Sequence, residues 1–306
     1  MKLNQLRDVL AVAEAGTFRG ASRRLGIAQS AITRSIREIE HELGVPLFER
    51  HTKGVRVTRI GEIFLRRATT VHNELRKARD EVEHFKQNST GEVSLALSGA
   101  SAIGLLHSIL PPFRRRFPDA VIKLSEGLFQ IAEPGLMSGE SDLYVGPLDT
   151  SITSTLLAVE HLFSNERLIF ARAGHPLSHA RTLAELADAE WVRPTFSVRY
   201  TEGDFAEMFE AAGLPAPKVV IHARSALLAV LAVTGSDLLT VLPRQWVELP
   251  NMLGAMAPIE LDLALDAAPV CIVRRTDLPP TPMAEYLTDL IRRTGLEYGR
   301  RQLAQS

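Results

Sequence analysis

Ser30, Thr33, Arg34 and Arg37 fall at i, i+3, i+4 and i+7, so a helix sets them on one face. With Gln29, that face offers two hydroxyls, a carboxamide and two guanidiniums, and no acid. Such groups read base edges: glutamine pairs with adenine and arginine with guanine in the major groove. Glu38, Glu40 and Glu42 come later in the segment, where they need not meet phosphates. Arg19, Arg50, Lys53 and Arg56 are placed to contact phosphates. Each such contact adds salt-dependent, sequence-independent affinity.

A second group lies further along the chain. Val93–Leu97 reads as a strand and leads into Ser98-Gly99-Ala100-Ser101 at the start of a helix. A helix N-terminus presents unpaired N–H groups and a partial positive charge, suited to a carboxylate or sulfonate. The serines add hydroxyl donors, although capping the helix would employ them too. Past a strand end at Trp191-Val192, Thr195 and Ser197 can donate hydrogen bonds and Phe196 can stack on a ring. Arg199 is either an anion partner or a surface arginine. Leu128 and Phe129 follow a strand at Val121–Leu124, Tyr144 lies at the end of the next strand, and Ser225 precedes an apolar helix. The set suits a small anionic, aromatic effector, with no cofactor. The nine histidines are scattered, and His222 alone makes no metal site. The sequence contains no GxSxG, GxxxxGKS/T, HExxH or strand-linked GxGxxG, which disfavours an enzyme.

Helices are expected at about 3–15, 18–25 and 28–43, broken by Gly16, Gly26 and Gly44, with Thr17 capping the second. Ala21, Leu25, Ile27, Ile32 and Ile36 can form the crossing of the second and third, a helix-turn-helix. Val45–Thr58 reads as a hairpin, or wing, turning at Lys53-Gly54. Residues 59–87 then form one helix about 43 Å long. Its apolar residues Phe64, Ala68, Val71, Leu75, Ala78, Val82 and Phe85 follow a heptad spacing. That seam packs either on its own domain or, as the strict 3.5-residue period favours, on a second copy. Residues 88–91 read as a linker. The remainder alternates strand and helix, which predicts open parallel sheets in two α/β lobes.

A chain of 306 residues with 45% apolar and 23% charged residues forms a sizeable core and is not globally disordered. The net charge of −1 hides a split. Residues 1–90 hold 17 Lys and Arg against 11 Asp and Glu; the rest hold 18 against 25. The basic head suits a polyanion. Cys271 is the lone cysteine, which fits a reducing compartment. No run of 18 uncharged apolar residues occurs, and Asp8 and Glu14 interrupt the N-terminal apolar residues. A soluble cytoplasmic protein is expected.

Residues 18–62 resemble the winged helix-turn-helix of LysR-type transcriptional regulators: AxxxLxIxQSAIxRxIxxxExxLGxxLFxR is followed by VxxTxxG. LPPFRRRFPDAVIKLSEG (110–127), SDLYVG (141–146) and HPLS (175–178) extend the likeness. RRTDLPPTP (274–282) and SDLLTVLPR (236–244) are most similar to the branch containing the toluenesulfonate-degradation regulator. Two departures stand out. GSDLLTVLP (235–243) lacks the glycine-rich form common in the family, and Ala28 replaces a frequent Ser or Thr cap. The resemblance implies a winged helix-turn-helix at 1–58, a linker dimerisation helix at 59–87 and an effector-binding domain at 88–306. In that domain it implies two Rossmann-like lobes like type 2 periplasmic binding proteins, lobe I at about 91–163 and 267–306 and lobe II at about 164–266. It further implies a homodimer or homotetramer on double-stranded promoter DNA, a small-molecule inducer in the cleft, and RNA polymerase as a candidate partner, with no membrane. The rival readings are a metabolite-binding signalling or transport protein and, further off, an enzyme.

Overall fold

The computed structural model describes residues 1–52, 54–86, 90–149, 154–194, 202–249, 254–263 and 265–304. The chain divides into two compact units: Met1–Asn88 with Gly135–Glu140, and Ser89–Pro134 with Ser141–Ser306. The first unit begins with α1 (Leu3–Ala15), α2 (Phe18–Leu25) and α3 (Gln29–Leu43), each closed by a glycine. Thr17 Oγ1 accepts the Gly20 N–H at 2.9 Å and caps α2. Gly26 takes φ of 65°, the left-handed conformation that turns the chain sharply into α3. Ser22 Oγ locks that turn by donating to the Ile27 carbonyl at 2.6 Å. Ala28 heads α3 without a side-chain cap, as its type dictates. Val9, Val12, Ala21, Ile32 and Ile36 are buried together, so the helices cross on their apolar faces.

The wing consists of β1 (Phe48–His51) and β2 (Gly54–Val57), antiparallel with Phe48 opposite Val57. Glu40 of α3 anchors it: its Oε1 accepts the Leu47 and Phe48 N–H groups at 2.8 and 3.1 Å. Thr58 Oγ1 donates to the Pro46 carbonyl and accepts the Gly61 N–H, both at 2.9 Å, so the wing's exit also caps α4 (Arg59–Phe85). A Cβ on Gly61 would overlap the Leu47 carbonyl.

The expected seam on α4 divides in two. Ala68 is buried in the head core, and Phe64 packs against that core. Leu75 is half-buried, while Val71, Ala78, Val82 and Phe85 are exposed, Phe85 to 90%. Heptad spacing cannot separate burial within a chain from burial between chains; the first turns of α4 satisfy it internally.

In the second unit, β3 (Gly91–Leu97) pairs in parallel with β4 (Ala120–Glu126) and with β5 (Leu143–Pro147). Helix α5 (Gly99–Arg116) connects β3 to β4, and α6 (Phe129–Ser138), whose residues from Gly135 on are counted with the first unit, precedes β5. Two long strands, β6 (Leu157–Arg172) and β11 (Leu265–Arg275), run antiparallel to each other, and β11 also runs antiparallel to β5. The expected wholly parallel sheet is therefore mixed. With β9 (Thr240–Pro243) and β10 (Met256–Ile259) both paired to β6, its order is β10-β6-β11-β5-β3-β4. A second, parallel pair joins β7 (Glu190–Pro194) to β8 (Lys218–Ala223). Helices α7 (Glu202–Ala211) and α8 (Ala226–Thr234) complete that region, and α9 (Pro282–Leu303) closes the described chain.

The long strands explain the two lobes. Leu162 and Phe163 of β6 sit in one core with β3, α5 and α9, whereas Ile169 and Phe170 of the same strand sit in separate cores with β7, β9 and α8. A 16-residue strand spans well beyond one core and feeds both. The 235–243 segment turns despite its unusual sequence. Ser236 Oγ donates to the Ala232 carbonyl at 2.6 Å, and Asp237 pairs with Arg172 at 2.6 Å.

Candidate nucleic-acid interface and effector cleft

Ile32, Ile36 and Ile39 bury one side of α3, which turns the other side outward. Gln29, Ser30, Thr33, Arg34 and Arg37 line one concave surface there, as their spacing predicts. The surface extends further, through Glu38 and His41. The face is therefore not free of acid: Glu38 shares it. Both extra residues continue the same helical row, at i+8 and i+11 from Ser30, so the spacing already pointed to them. Thr33 Oγ1 donates to the Gln29 carbonyl at 3.0 Å, leaving the threonine its methyl group and acceptor lone pairs for a ligand.

Arg19 is exposed on α2. On the wing, Val55 and Val57 pack toward the core, and strand alternation turns Arg56 outward. The Arg50 guanidinium lies 5.1 Å from the Phe18 ring centroid, a cation–π contact that ties the wing to α2. Lys53 falls outside the described residues.

The second candidate site lies at the carboxyl ends of β3 and β4. Ser98, Gly99 and Ala100 begin α5, Leu128 follows β4 and Ala226 begins α8; all five line one cavity. Glu126, Gly127, Pro147, Leu242, Pro243 and Trp246 complete its wall. Two helix N-termini thus face one space, which favours an anionic group, while the Glu126 carboxylate in the same wall opposes one. The cavity measures about 50 Å³. That is room for a water or two, well short of an aromatic acid.

The serine oxygens are engaged as acceptors in capping bonds, which leave the Ser225 O–H free to donate. Ser98 Oγ accepts the Ser101 N–H at 3.2 Å and lies 2.9 Å from Ser101 Oγ, and both residues are buried. Ser225 Oγ likewise accepts the Leu228 N–H at 3.3 Å. Here the capping role is realised. Phe129 and Tyr144 do not line the cavity; they are buried with their rings edge-on at 5.5 Å. Tyr144 donates its hydroxyl to the Pro147 carbonyl at 3.3 Å, and burial holds that phenol protonated well above the usual tyrosine range. A Cβ on Gly146 would strike the Tyr144 hydroxyl, which accounts for glycine in SDLYVG. Thr195, Phe196, Ser197 and Arg199 fall outside the described residues.

Glu126 and Trp246 escaped the sequence reading. Glu126 reaches the cavity because parallel pairing sets it beside Leu97, and its Oε1 lies 3.3 Å from where a Gly99 Cβ would stand. Trp246 arrives on a single helical turn, Arg244–Glu248. Neither position is visible without the tertiary register. Among the described residues, no three His, Cys, Asp or Glu side chains converge as metal ligands, and no helix is long and apolar enough to cross a membrane.

Comparison with known proteins finds two family matches along the chain. Residues 3–62 match the bacterial regulatory helix-turn-helix protein family of LysR type, and residues 86–295 match the LysR substrate binding domain. The HTH-type transcriptional regulator PcaQ of Agrobacterium fabrum is 27% identical over 95% of this chain and 94% of its own length. The regulator GbpR of Azospirillum brasilense is 26% identical over 93% and 84%. Among solved structures, CbnR, a LysR family transcriptional regulator, superposes with a TM-score of 0.73 at 20% identity, covering 96% of this chain and 99% of that one. A full-length OxyR variant from Pseudomonas aeruginosa gives 0.68 at 22%, covering 95% of each. The substrate-domain match alone spans well over half the sequence, and the chain belongs to the LysR family of DNA-binding transcriptional regulators, which are not enzymes.

Proposed function

We propose that this regulator binds promoter DNA sequence-specifically through α3 and the wing, under control of a small anionic, aromatic effector. The observation that carries the reading is the outward row of Ser30, Arg34 and Arg37 on a helix whose other side is buried. Gln29, Ser30, Thr33, Arg34 and Arg37 face base edges, while Arg19, Arg50, Lys53 and Arg56 contact phosphates. CbnR, similar in fold, has been solved with its target DNA, which supports this placement.

The working divisions are a head at 1–58, a dimerising helix at 59–87 and an effector domain at 88–306. The protein acts in the cytoplasm as a homodimer or homotetramer, with RNA polymerase as a candidate partner. The exposed positions Val71, Ala78, Val82 and Phe85, with Leu75, support pairing through α4. The effector enters between the two lobes, its acidic group at the starts of α5 and α8. Thr195, Phe196, Ser197 and Arg199 are the remaining candidate contacts. The likeness of 236–244 and 274–282 to the toluenesulfonate-regulator branch favours an aromatic sulfonate or carboxylate. A 50 Å³ cavity admits such a ligand only when the lobes part. Binding therefore selects one lobe arrangement over another, the condition for a ligand to shift an equilibrium.

Gel retardation with the full chain tests the DNA reading. Sequence-selective binding should be lost in Arg34→Ala and weakened in Gln29→Ala. Wild-type binding by both variants would show that another surface reads the operator.

A further inference from the structure

Glu38 is an acid on a surface that meets a polyanion. It lines the same concavity as Arg34 and Arg37 and is exposed. Its carboxylate is not left to wander. Gln5, buried to 5% exposure, donates from Nε2 to Glu38 Oε2 at 3.1 Å. The Gln5 amide is itself oriented, because its Oε1 accepts the Lys2 N–H at 2.8 Å. Only the NH₂ end can then face Glu38. One carboxylate oxygen is held from beneath, and Oε1 is left for a ligand.

A carboxylate near DNA is unfavourable unless it accepts a hydrogen bond from the base edges. The major groove offers two such donors, the N4 amino group of cytosine and the N6 amino group of adenine. Adenine presents its N7 acceptor beside N6, which repels a carboxylate, whereas cytosine presents the donor alone. We propose that Glu38, oriented by Gln5, is a base-reading residue that accepts the cytosine N4 amino group, fixing cytosine at one position of each half-site. This rests on α3 entering the major groove and adds to it the base that the acid selects.

The test selects duplexes bound by the full-length protein from a random library. Single-base variants of the selected half-site are then titrated by fluorescence anisotropy. The wild type should prefer cytosine at one position by about 5- to 150-fold. Glu38→Ala should flatten that position and leave the others intact. Glu38→Gln should move the preference to adenine, whose N6 and N7 match a carboxamide. Gln5→Ala, which frees Glu38 without touching the bases, should weaken the same preference. The proposal is overturned if Glu38→Ala keeps every base preference. It is equally overturned if that variant tightens binding to all duplexes alike, since Glu38 would then only repel phosphates. A wild type that selects no sequence would overturn the placement of α3 itself.

Discussion

Replacing Glu40 by alanine should uncouple the wing from the recognition helix. One carboxylate oxygen accepts two consecutive backbone N–H groups, those of Leu47 and Phe48, where the chain enters β1. Both residues are buried, so water cannot readily replace the lost acceptor. A hydrogen bond to a charged group contributes about 1.5–3 kcal/mol. Losing two should cost about 3–6 kcal/mol locally. The wing that loosens carries Arg50 and Arg56. If each contacts one phosphate, their loss lowers the slope of log affinity against log salt by about 1.8, at roughly 0.9 per phosphate. Anisotropy titrations between about 50 and 200 mM salt read that slope directly. Base preferences should persist, because α3 keeps its own core residues. Glu40→Gln retains an acceptor but not the charge and should fall between the two. An alanine variant with wild-type affinity and slope would refute the wing's role, whatever its stability.

Three further outcomes follow from particular contacts. Leu75→Asp should raise the dimer dissociation constant by roughly 100-fold or more, since it buries an unpaired charge if α4 pairs with a second copy; unchanged sedimentation would remove that pairing. His175 is 4% exposed, with Nδ1 accepting the Leu177 N–H at 3.0 Å and Nε2 facing the Asp237 carbonyl at 3.1 Å. His175→Ala orphans both groups and should cost about 2–4 kcal/mol, read as a lower effector-domain Tm with DNA affinity retained; an unchanged Tm would show the turn to be held otherwise. Cys271 is fully buried, and burial pushes its thiol up to about 11. Its folded value is raised, so its contribution to stability is full below about pH 9 and lost as pH rises toward 11. At neutral pH iodoacetamide should label it only after unfolding, and rapid native labelling would contradict its placement.

The head is legible in the sequence because its determinants are local. Glycine stops, the Thr17 cap, the Ile32–Ile36–Ile39 stripe and the wing's Val55–Val57 alternation each act within a few residues. The base-reading row follows from helical spacing alone. What spacing does not supply is the partner of each side chain. Spacing sets Glu38 in the row of Arg34 and Arg37 but not the Gln5 amide that orients it, and Thr33 reads as a free donor until its back-bond to Gln29 is seen. The seam on α4 divides for the same reason, since a buried Ala68 and an exposed Phe85 share one periodicity.

The cleft is legible in its strand-to-helix joints and illegible in its walls. Ser98-Gly99-Ala100 announces a helix start, and the carboxyl end of a parallel strand is where such a start meets a ligand. The opposing wall depends on β6 and β11 crossing between two cores and on the register that sets Glu126 beside Leu97. Those are long-range pairings between residues far apart in sequence, and no local pattern encodes them. The two kinds of error share one cause: residue type and spacing specify which face a side chain occupies, while function at that face depends on which neighbour has already claimed its hydrogen bonds. Residue type marks Ser98 and Ser225 as donors, yet in the fold each first serves as an acceptor that caps its own helix, and Ser98 also pairs with the Ser101 hydroxyl. An anion at these helix starts therefore meets the backbone N–H groups of the first turns, which any small residue at 99, 100 or 226 can present, together with the Ser225 O–H that capping leaves free to donate.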